Sequence, residues 1–402
     1  MNILFLSLGS FNSYEQDNIY ADILRCAIKE GHSVLSLLPG PSEGEDEIVE
    51  SMGNKIIRLR TGKVTGDSNF IRKGISTLRL GGIYKRAIKK YCGPSVDIIL
   101  YSTPPITLYK AIKYAKKSTG AKTYLLLKDI FPQNAVDLGL ISKSGWRGII
   151  YRHFRKTEKK YYVISDRIGC MSEKNVQYLL QHNDFISPDK VCVNPNSTEI
   201  PEGGVKPVDR AAVRKQYGIP EGIKTFIYGG NLGRPQDVEF IVECLKDNLD
   251  KEDRYFVVCG SGGDYDKLEA FFKAAEPRNM LLIHGLEQSL YDRLVAACDI
   301  GLIFLDQRFT IPNYPSRLLS YMKRSLPVIA CVDSATDVGD NIEEGGFGWK
   351  CPAGDCAAFT ATADTALKAD LETMGKKAYE YLVQHFSAQD SMRKIIEFAD
   401  NK

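Results

Sequence analysis

Histidine is scarce, with five in 402 residues, and none sits in an evident motif of the first half. That poverty argues against chemistry built on several acid–base imidazoles. The ten cysteines are scattered and never form C-x-x-C, and Cys170, Cys259 and Cys331 fall inside apolar strand patterns. That pattern favours reduced, packed thiols of a cytosolic protein over a disulfide framework or a zinc site. No run approaches the ~20 uncharged apolar residues that cross a bilayer. The opening Met1–Gly9 lacks a basic leader and a small-residue cleavage site, so it is expected to be a buried strand and not a secretion signal. There is no repeat of fixed period, and no biased tract beyond the acidic loop Ser42–Glu50.

What is present begins with length. A chain of 402 residues, 44% hydrophobic, suits two α/β domains. The formal net charge of +3 hides a strong asymmetry. Residues 1–200 hold 29 Lys and Arg against 19 Asp and Glu, and the remainder holds 24 against 31. Between Lys55 and Lys160 the excess sharpens to 24 basic against 5 acidic residues. Such a field attracts phosphates, nucleic acid or anionic lipid.

Short β-rich runs alternate with helical patterns, the signature of βα units around parallel sheets. Strands are expected at Asn2–Leu8, Ser33–Leu38, Lys55–Leu59, Val96–Tyr101, Lys122–Leu127, Arg167–Met171 and Val191–Asn194. After the breaker-rich Pro195–Gly204 they resume at Thr225–Tyr228, Tyr255–Cys259, Met280–Ile283, Ile300–Leu305 and Pro327–Cys331. Two doubly wound domains follow, 1–200 and 201–384, with a C-terminal helix near 385–402 that can pack back on the first.

The most informative segment is Tyr228-Gly229-Gly230-Asn231-Leu232-Gly233-Arg234. It is expected to be a glycine-rich turn that opens a helix, whose backbone N–H groups face a diphosphate. A second glycine turn, Gly260–Gly263, departs from the dinucleotide fingerprint because Tyr265 holds its last glycine position. Asp264-Tyr265-Asp266 reads better as a solvated turn than as a metal motif. Pro315, Ser316 and Arg317 are expected inside a helix's first turn, with Arg317 free to pair with an anion.

The order of glycine turn, His284-Gly285-Leu286, Ala297–Leu302, Pro315-Ser316-Arg317 and Pro327-Val328-Ile329 resembles the C-terminal domain of glycosyltransferase family 4. Lys128–Gln133 and Glu158–Ser172 resemble N-terminal blocks of members that build surface polysaccharides, the nearest look being the N-acetylfucosaminyltransferase-like branch of O-antigen and capsule assembly. The resemblance implies a GT-B fold, two Rossmann-like parallel-sheet domains facing a central cleft, and a retaining transferase. It implies a UDP-sugar donor in the second domain and an undecaprenyl-pyrophosphate-linked glycan acceptor on the first. No cofactor or metal is expected. Donor contacts would come from Gly229, Gly230, Asn231, Gly233, Leu286, Pro315, Ser316, Ser320 and Asp337, with Arg234 and Arg317 neutralising the leaving diphosphate. Where many members carry two glutamates this chain reads Pro312 and Ser320. Where they carry Arg and Lys at the glycine turn it reads Asn231 and Gln236. A nucleotide-sugar 2-epimerase of the same fold, or a catalytically inactive relative, therefore stays open.

On the acceptor side, Gly9 and Ser10 leave room after the first strand. Asp129, ending a hydrophobic strand, is placed for an acceptor hydroxyl. Trp146, Ile149, Ile150, His153 and Phe154 line one helical stripe flanked by basic residues, with Arg72, Lys73, Arg79, Lys85, Arg86, Lys89 and Lys90 adding charge. The expected partner of that surface is the anionic inner face of the cell membrane. Nucleic acid is not expected, because no recognised binding module appears.

Overall fold

The structure is a computed structural model that describes residues 1–62, 70–145, 147–201, 204 and 207–401, without side chains over 70–78. Its contacts divide it into two compact units, Met1–Glu199 with Ser387–Lys402, and Ile200–Phe386.

Unit 1 holds β1 (Asn2–Leu6), β2 (Ser33–Pro39), β3 (Glu47–Ser51), β4 (Asn54–Leu59), β5 (Ile98–Ser102), β6 (Lys122–Leu127), β7 (Arg167–Cys170) and β8 (Val191–Val193). They form one sheet in the order β3-β4-β2-β1-β5-β6-β7-β8, parallel throughout except for the β3–β4 hairpin. Central strands of a parallel sheet are covered on both faces, which is why Ile98–Ser102 is buried at every position. The hairpin strand β3 lies in the segment expected to be an acidic loop. Its two apolar residues, Ile48 and Val49, are outnumbered by Glu47, Glu50 and Ser51, as suits an edge that faces water.

The C-terminal helix Ala388–Asp400 belongs to unit 1. Met392 and Ile395 are fully buried in a cluster with Phe5, Leu24, Leu100 and Leu126, and Phe398 meets the Tyr124 ring edge-on at 5.8 Å. The Ala388 N–H donates to the Thr198 carbonyl at 3.0 Å. Thr198 in turn donates its hydroxyl to Asp22 at 2.7 Å. Arg25 pairs with both Asp22 and Glu199. The segment after β8 is thus fixed to the helix Ile19–Lys29.

Unit 2 holds β9 (Lys224–Asn231), β10 (Arg254–Ser261), β11 (Met280–His284), β12 (Ile300–Phe304), β13 (Val328–Val332) and β14 (Gly348–Pro352), ordered β11-β10-β9-β12-β13-β14 and all parallel. Phe226, Phe256, Phe304 and Phe359 fill one face, with Phe226 and Phe256 stacked at 5.1 Å. The edge strand β14 was hidden in the sequence by Gly348 and Pro352, which carry no strand preference.

Candidate active site

In unit 2 the chain starts at β9, winds outward to β10 and β11, then returns past its origin to β12. The switch of direction lies between β9 and β12, where doubly wound sheets open a crevice at their carboxyl ends. The two strands pair only at Phe226–Ile300 and Ile227–Gly301. Beyond that Tyr321 stands between them. Its hydroxyl accepts the Gly229 N–H at 3.1 Å, and its hydrogen is shared by the Ile227 and Leu302 carbonyls, each at 3.1 Å. Two glycines make room for tyrosines: a Cβ at Gly301 would lie 2.4 Å from the Tyr321 ring, and one at Gly229 2.0 Å from the Tyr291 hydroxyl.

Arg317 opens the helix Arg317–Lys323 one turn before Tyr321. Its guanidinium lies over the Tyr228 ring, 4.4 Å from Cζ to the centroid. A Cβ at Gly230, whose φ is +113°, would sit 3.6 Å from Arg317 Nη2, so a glycine there leaves the guanidinium uncovered on that side. Nη1 is buried without a hydrogen-bond partner. No carboxylate among the described residues pairs with this cation, which stays charged at any accessible pH. Pro315 and Ser316 precede the helix, Ser316 as its N-cap residue without a side-chain bond. The expectation that both lie inside the first turn is corrected by that start.

The glycine segment also differs from expectation. Gly229, Gly230 and Asn231 are not a turn but the last residues of β9, in register with Cys259, Gly260 and Ser261. The Leu232 N–H is taken by the Ser261 carbonyl at 2.9 Å. A short 3-10 turn, Arg234–Gln236, intervenes before the helix Val238–Lys246, whose start is capped by Asp237 through the Phe240 N–H at 3.3 Å. The Leu232 and Phe240 N–H groups are therefore already taken. Exposed at this corner are Gly230, Asn231 and Arg234, while Gly233 is buried with its Cα beside the Asn231 amide. Asn231 donates to Gln236 Oε1 at 2.7 Å. The second glycine turn supports the first: a Cβ at Gly260 would lie 2.1 Å from the Gly230 carbonyl oxygen, and one at Gly262 2.2 Å from that of Leu232.

Arg234 lines a pocket of about 240 Å³ with Asp237, Asp264, Lys267, Asp306 and Arg308. Lys267 is paired with Asp264 and Glu239, and Arg308 with Asp306. The structure therefore gives Arg234 and Arg317 different surroundings. Leu286, half-buried, follows Gly285, whose N–H reaches the Gly260 carbonyl at 3.0 Å, beside the end of β10. Ser320 is half-buried on the Arg317 helix. Asp337 is buried and precedes Val338–Glu344 without a side-chain cap bond. Thr336 donates to the Asn313 carbonyl at 2.5 Å, tying that turn to the loop before Pro315.

In unit 1, Asp129 follows β6. Its Oδ2 accepts from Asn134 at 2.6 Å, and Oδ1 is buried without a partner. Burial pushes this carboxyl up to about 6. Gly9 and Ser10 are occupied locally: the Gly9 N–H donates to Ser7 Oγ at 2.9 Å, and a Cβ there would strike the Tyr20 ring at 2.4 Å. Ser10 donates to the Pro39 carbonyl at 3.3 Å. Glu158, which carries part of the family resemblance, is buried between Arg155 and Tyr162, 2.7 Å from each.

Residues 209–381 match the sequence model of the family described as Glycosyl transferases group 1. The chain is a glycosyltransferase. It is 26% identical over 301 residues to the glycosyltransferase WbjE of Pseudomonas aeruginosa, covering 74% of this chain and 73% of that one. It is 24% identical over 251 residues to the colanic acid biosynthesis glycosyl transferase WcaI of Escherichia coli K12, covering 61% and 60%. Its fold is GT-B. WaaG, a glycosyltransferase involved in lipopolysaccharide biosynthesis, superposes with a TM-score of 0.64 at 15% identity over 100% of both chains. Anabaena HepE in complex with UDP and glucose gives 0.68 at 14% identity, again over 100% of both.

In this transferase the fold brings Arg317, Gly229 and Gly230 together, and it adds Tyr228, Tyr291 and Tyr321, which sequence reasoning missed. The signal was present as a tyrosine directly before the glycines and an Arg-x-x-x-Tyr spacing that puts both side chains on one helix face. Among the described residues no cluster of His, Cys, Asp or Glu could hold a metal ion. None of the described helices is long and apolar enough to cross a membrane. Trp146 and the side chains of Arg72 and Lys73 lie outside the described residues. Of the other residues of the expected stripe, Ile149, Ile150 and His153 are exposed, and Phe154 is half-buried against Phe131.

Proposed function

We propose that this chain transfers a sugar, an N-acetylated amino sugar or deoxy-sugar, from a UDP-sugar to a lipid-linked glycan in surface polysaccharide biosynthesis, with retention of configuration. The observation that carries the donor half is Arg317: a buried guanidinium at the switch point, stacked on Tyr228, with one nitrogen unpartnered. A group of fixed charge in a poorly hydrated site stabilises the negative charge that grows on a departing diphosphate, and it costs no reorganisation during transfer. Arg234, exposed at the end of the same segment, adds a second positive charge from the solvent side. The UDP and glucose named for HepE support that donor chemistry, and the processes named for WcaI and WaaG support the polysaccharide setting.

On the acceptor side, Asp129 would take the proton-bearing end of the attacking hydroxyl through its unpartnered Oδ1. A carboxyl poised near 6 is ionised at neutral pH and able to accept that hydrogen bond. Helices Phe70–Tyr91, Tyr109–Thr119 and Arg147–Ile164 carry much of the local basic excess. Exposed Ile149 and Ile150 among those charges suit a peripheral position at an anionic cytoplasmic leaflet. The reading is tested by incubating the protein with a panel of UDP-sugars and an undecaprenyl-pyrophosphate-linked sugar. Extension of the acceptor with an α-linkage from an α-donor supports it, and no transfer from any UDP-sugar contradicts it.

A further inference from the structure

Five buried side-chain atoms of unit 1 lack a hydrogen-bond partner on segments that leave the carboxyl ends of its sheet. They are Thr107 Oγ1 after β5, Lys128 Nζ and Asp129 Oδ1 after β6, and Asn196 Oδ1 and Ser197 Oγ after β8. A buried polar group left unpaired is destabilising, and more so when charged. All five lie on segments along the edge where α/β sheets bind ligands, which points to a site.

Lys128 is the member that selects chemistry. Two other lysines of unit 1 have partners: Lys116 lies 2.6 Å from Asp166, and Lys190 donates to the Tyr162 carbonyl at 2.8 Å. The titratable group facing Lys128 is the Cys170 thiol on β7, behind which stand Cys192 on β8 and Glu173 at the next helix start. Burial pushes the Cys170 thiol up, so it stays protonated and supplies no counterion. Burial also draws the Lys128 amine down to about 7. An ammonium in this position is incomplete without an anion, and Asp129, Asn196 and Ser197 around the same edge suit hydroxyls.

We propose that Lys128 binds an anionic oxygen group of the acceptor, with Asp129, Asn196 and Ser197 bonding the hydroxyls beside it. The inference rests on the acceptor reading above and makes unit 1 selective for charged acceptors. The anionic group has two sources: the pyrophosphate that joins glycan to lipid, or the carboxylate of an acidic sugar. An anion at Nζ favours the ammonium, so binding takes up a proton and weakens as pH rises above the amine's own range.

Reductive ¹³C-methylation of the full-length protein gives each lysine an NMR signal, and the one lost in Lys128→Arg is assigned to Lys128. Inorganic pyrophosphate, or glucuronate in a separate arm, should raise the pH at which that signal titrates by about one unit. A shift with either supports the proposal, and the tighter binder names the source; no shift with both overturns it. Should Lys128→Arg fail to fold, acetylation of the unmodified protein read by mass spectrometry gives the same decision. The bound anion should slow modification of Lys128 about tenfold below neutral pH and leave Lys116 unchanged. UDP binding through Arg317 should be the same in Lys128→Arg, which separates failure here from failure of the donor reading.

Discussion

Replacing Tyr321 by phenylalanine would remove one oxygen from the point where β9 and β12 part. The ring would remain against Gly301, so no cavity opens. The Gly229 N–H would lose its acceptor at 3.1 Å, and the Ile227 and Leu302 carbonyls would lose a shared donor. A buried N–H without a partner costs about 1–3 kcal/mol. Carbonyls with a second lone pair in the ladder lose less, so the expected destabilisation is about 2 kcal/mol. For a unit of this size that lowers Tm by roughly 4–8 °C. Urea unfolding followed through Trp349 on β14, in a Trp146→Phe background, isolates unit 2, and the midpoint should fall with an unchanged slope. Because Gly229 precedes Gly230, which lies beside the guanidinium of Arg317, UDP affinity should fall as well, by about tenfold or 1.4 kcal/mol. A midpoint change equivalent to less than about 0.5 kcal/mol, with UDP binding intact, would refute the view that Tyr321 holds the switch point open.

Three further outcomes follow from other parts of the molecule. The Asp129 carboxyl titrates near 6 and must be ionised to accept the acceptor hydroxyl, so the transfer rate should fall as pH drops through 6. Asp129→Asn should abolish that inflection and lower kcat more than donor affinity. Its raised value also means that the native state holds this proton more tightly than the unfolded chain. The group's contribution to stability is then largest below pH 4 and is lost as pH rises towards 6, which urea midpoints of wild type and Asp129→Asn across that range would register. Ile395→Ala, on the C-terminal helix buried against Phe5 and Leu24, should destabilise unit 1 by about 2–5 kcal/mol, read by chemical unfolding. Asn231→Arg with Gln236→Lys replaces an exposed amide pair by two cations beside the donor glycines, and should tighten UDP binding by about tenfold in low salt.

Much of this fold was legible because central parallel strands covered on both faces read as unbroken apolar runs, and even the edge strands β8 and β11 keep short β-branched or aliphatic runs. The two that did not, β3 and β14, are edges where water or turn residues dilute the pattern. The glycines were visible but their job was not. Gly229, Gly260 and Gly301 exist because a tyrosine ring or another backbone presses on them, and such pressure comes from residues distant in sequence. Arg317 could be named from its place after Pro315 and Ser316, whereas the box of Tyr228, Tyr291 and Tyr321 needed three segments brought together. Lys128 could not be told from a surface lysine in the sequence, because the burial of its Nζ is set by residues distant in the chain.

The central claim is that Arg317 is the buried cation of a nucleotide-sugar site. Calorimetric titration of UDP into the wild-type protein, Arg317→Lys and Arg317→Ala tests it most directly. Micromolar binding that Arg317→Ala weakens at least about tenfold, or 1.4 kcal/mol, with partial recovery in Arg317→Lys, is the predicted result. Equal UDP affinity in all three folded proteins, or no binding of any nucleoside diphosphate by the wild type, would contradict it.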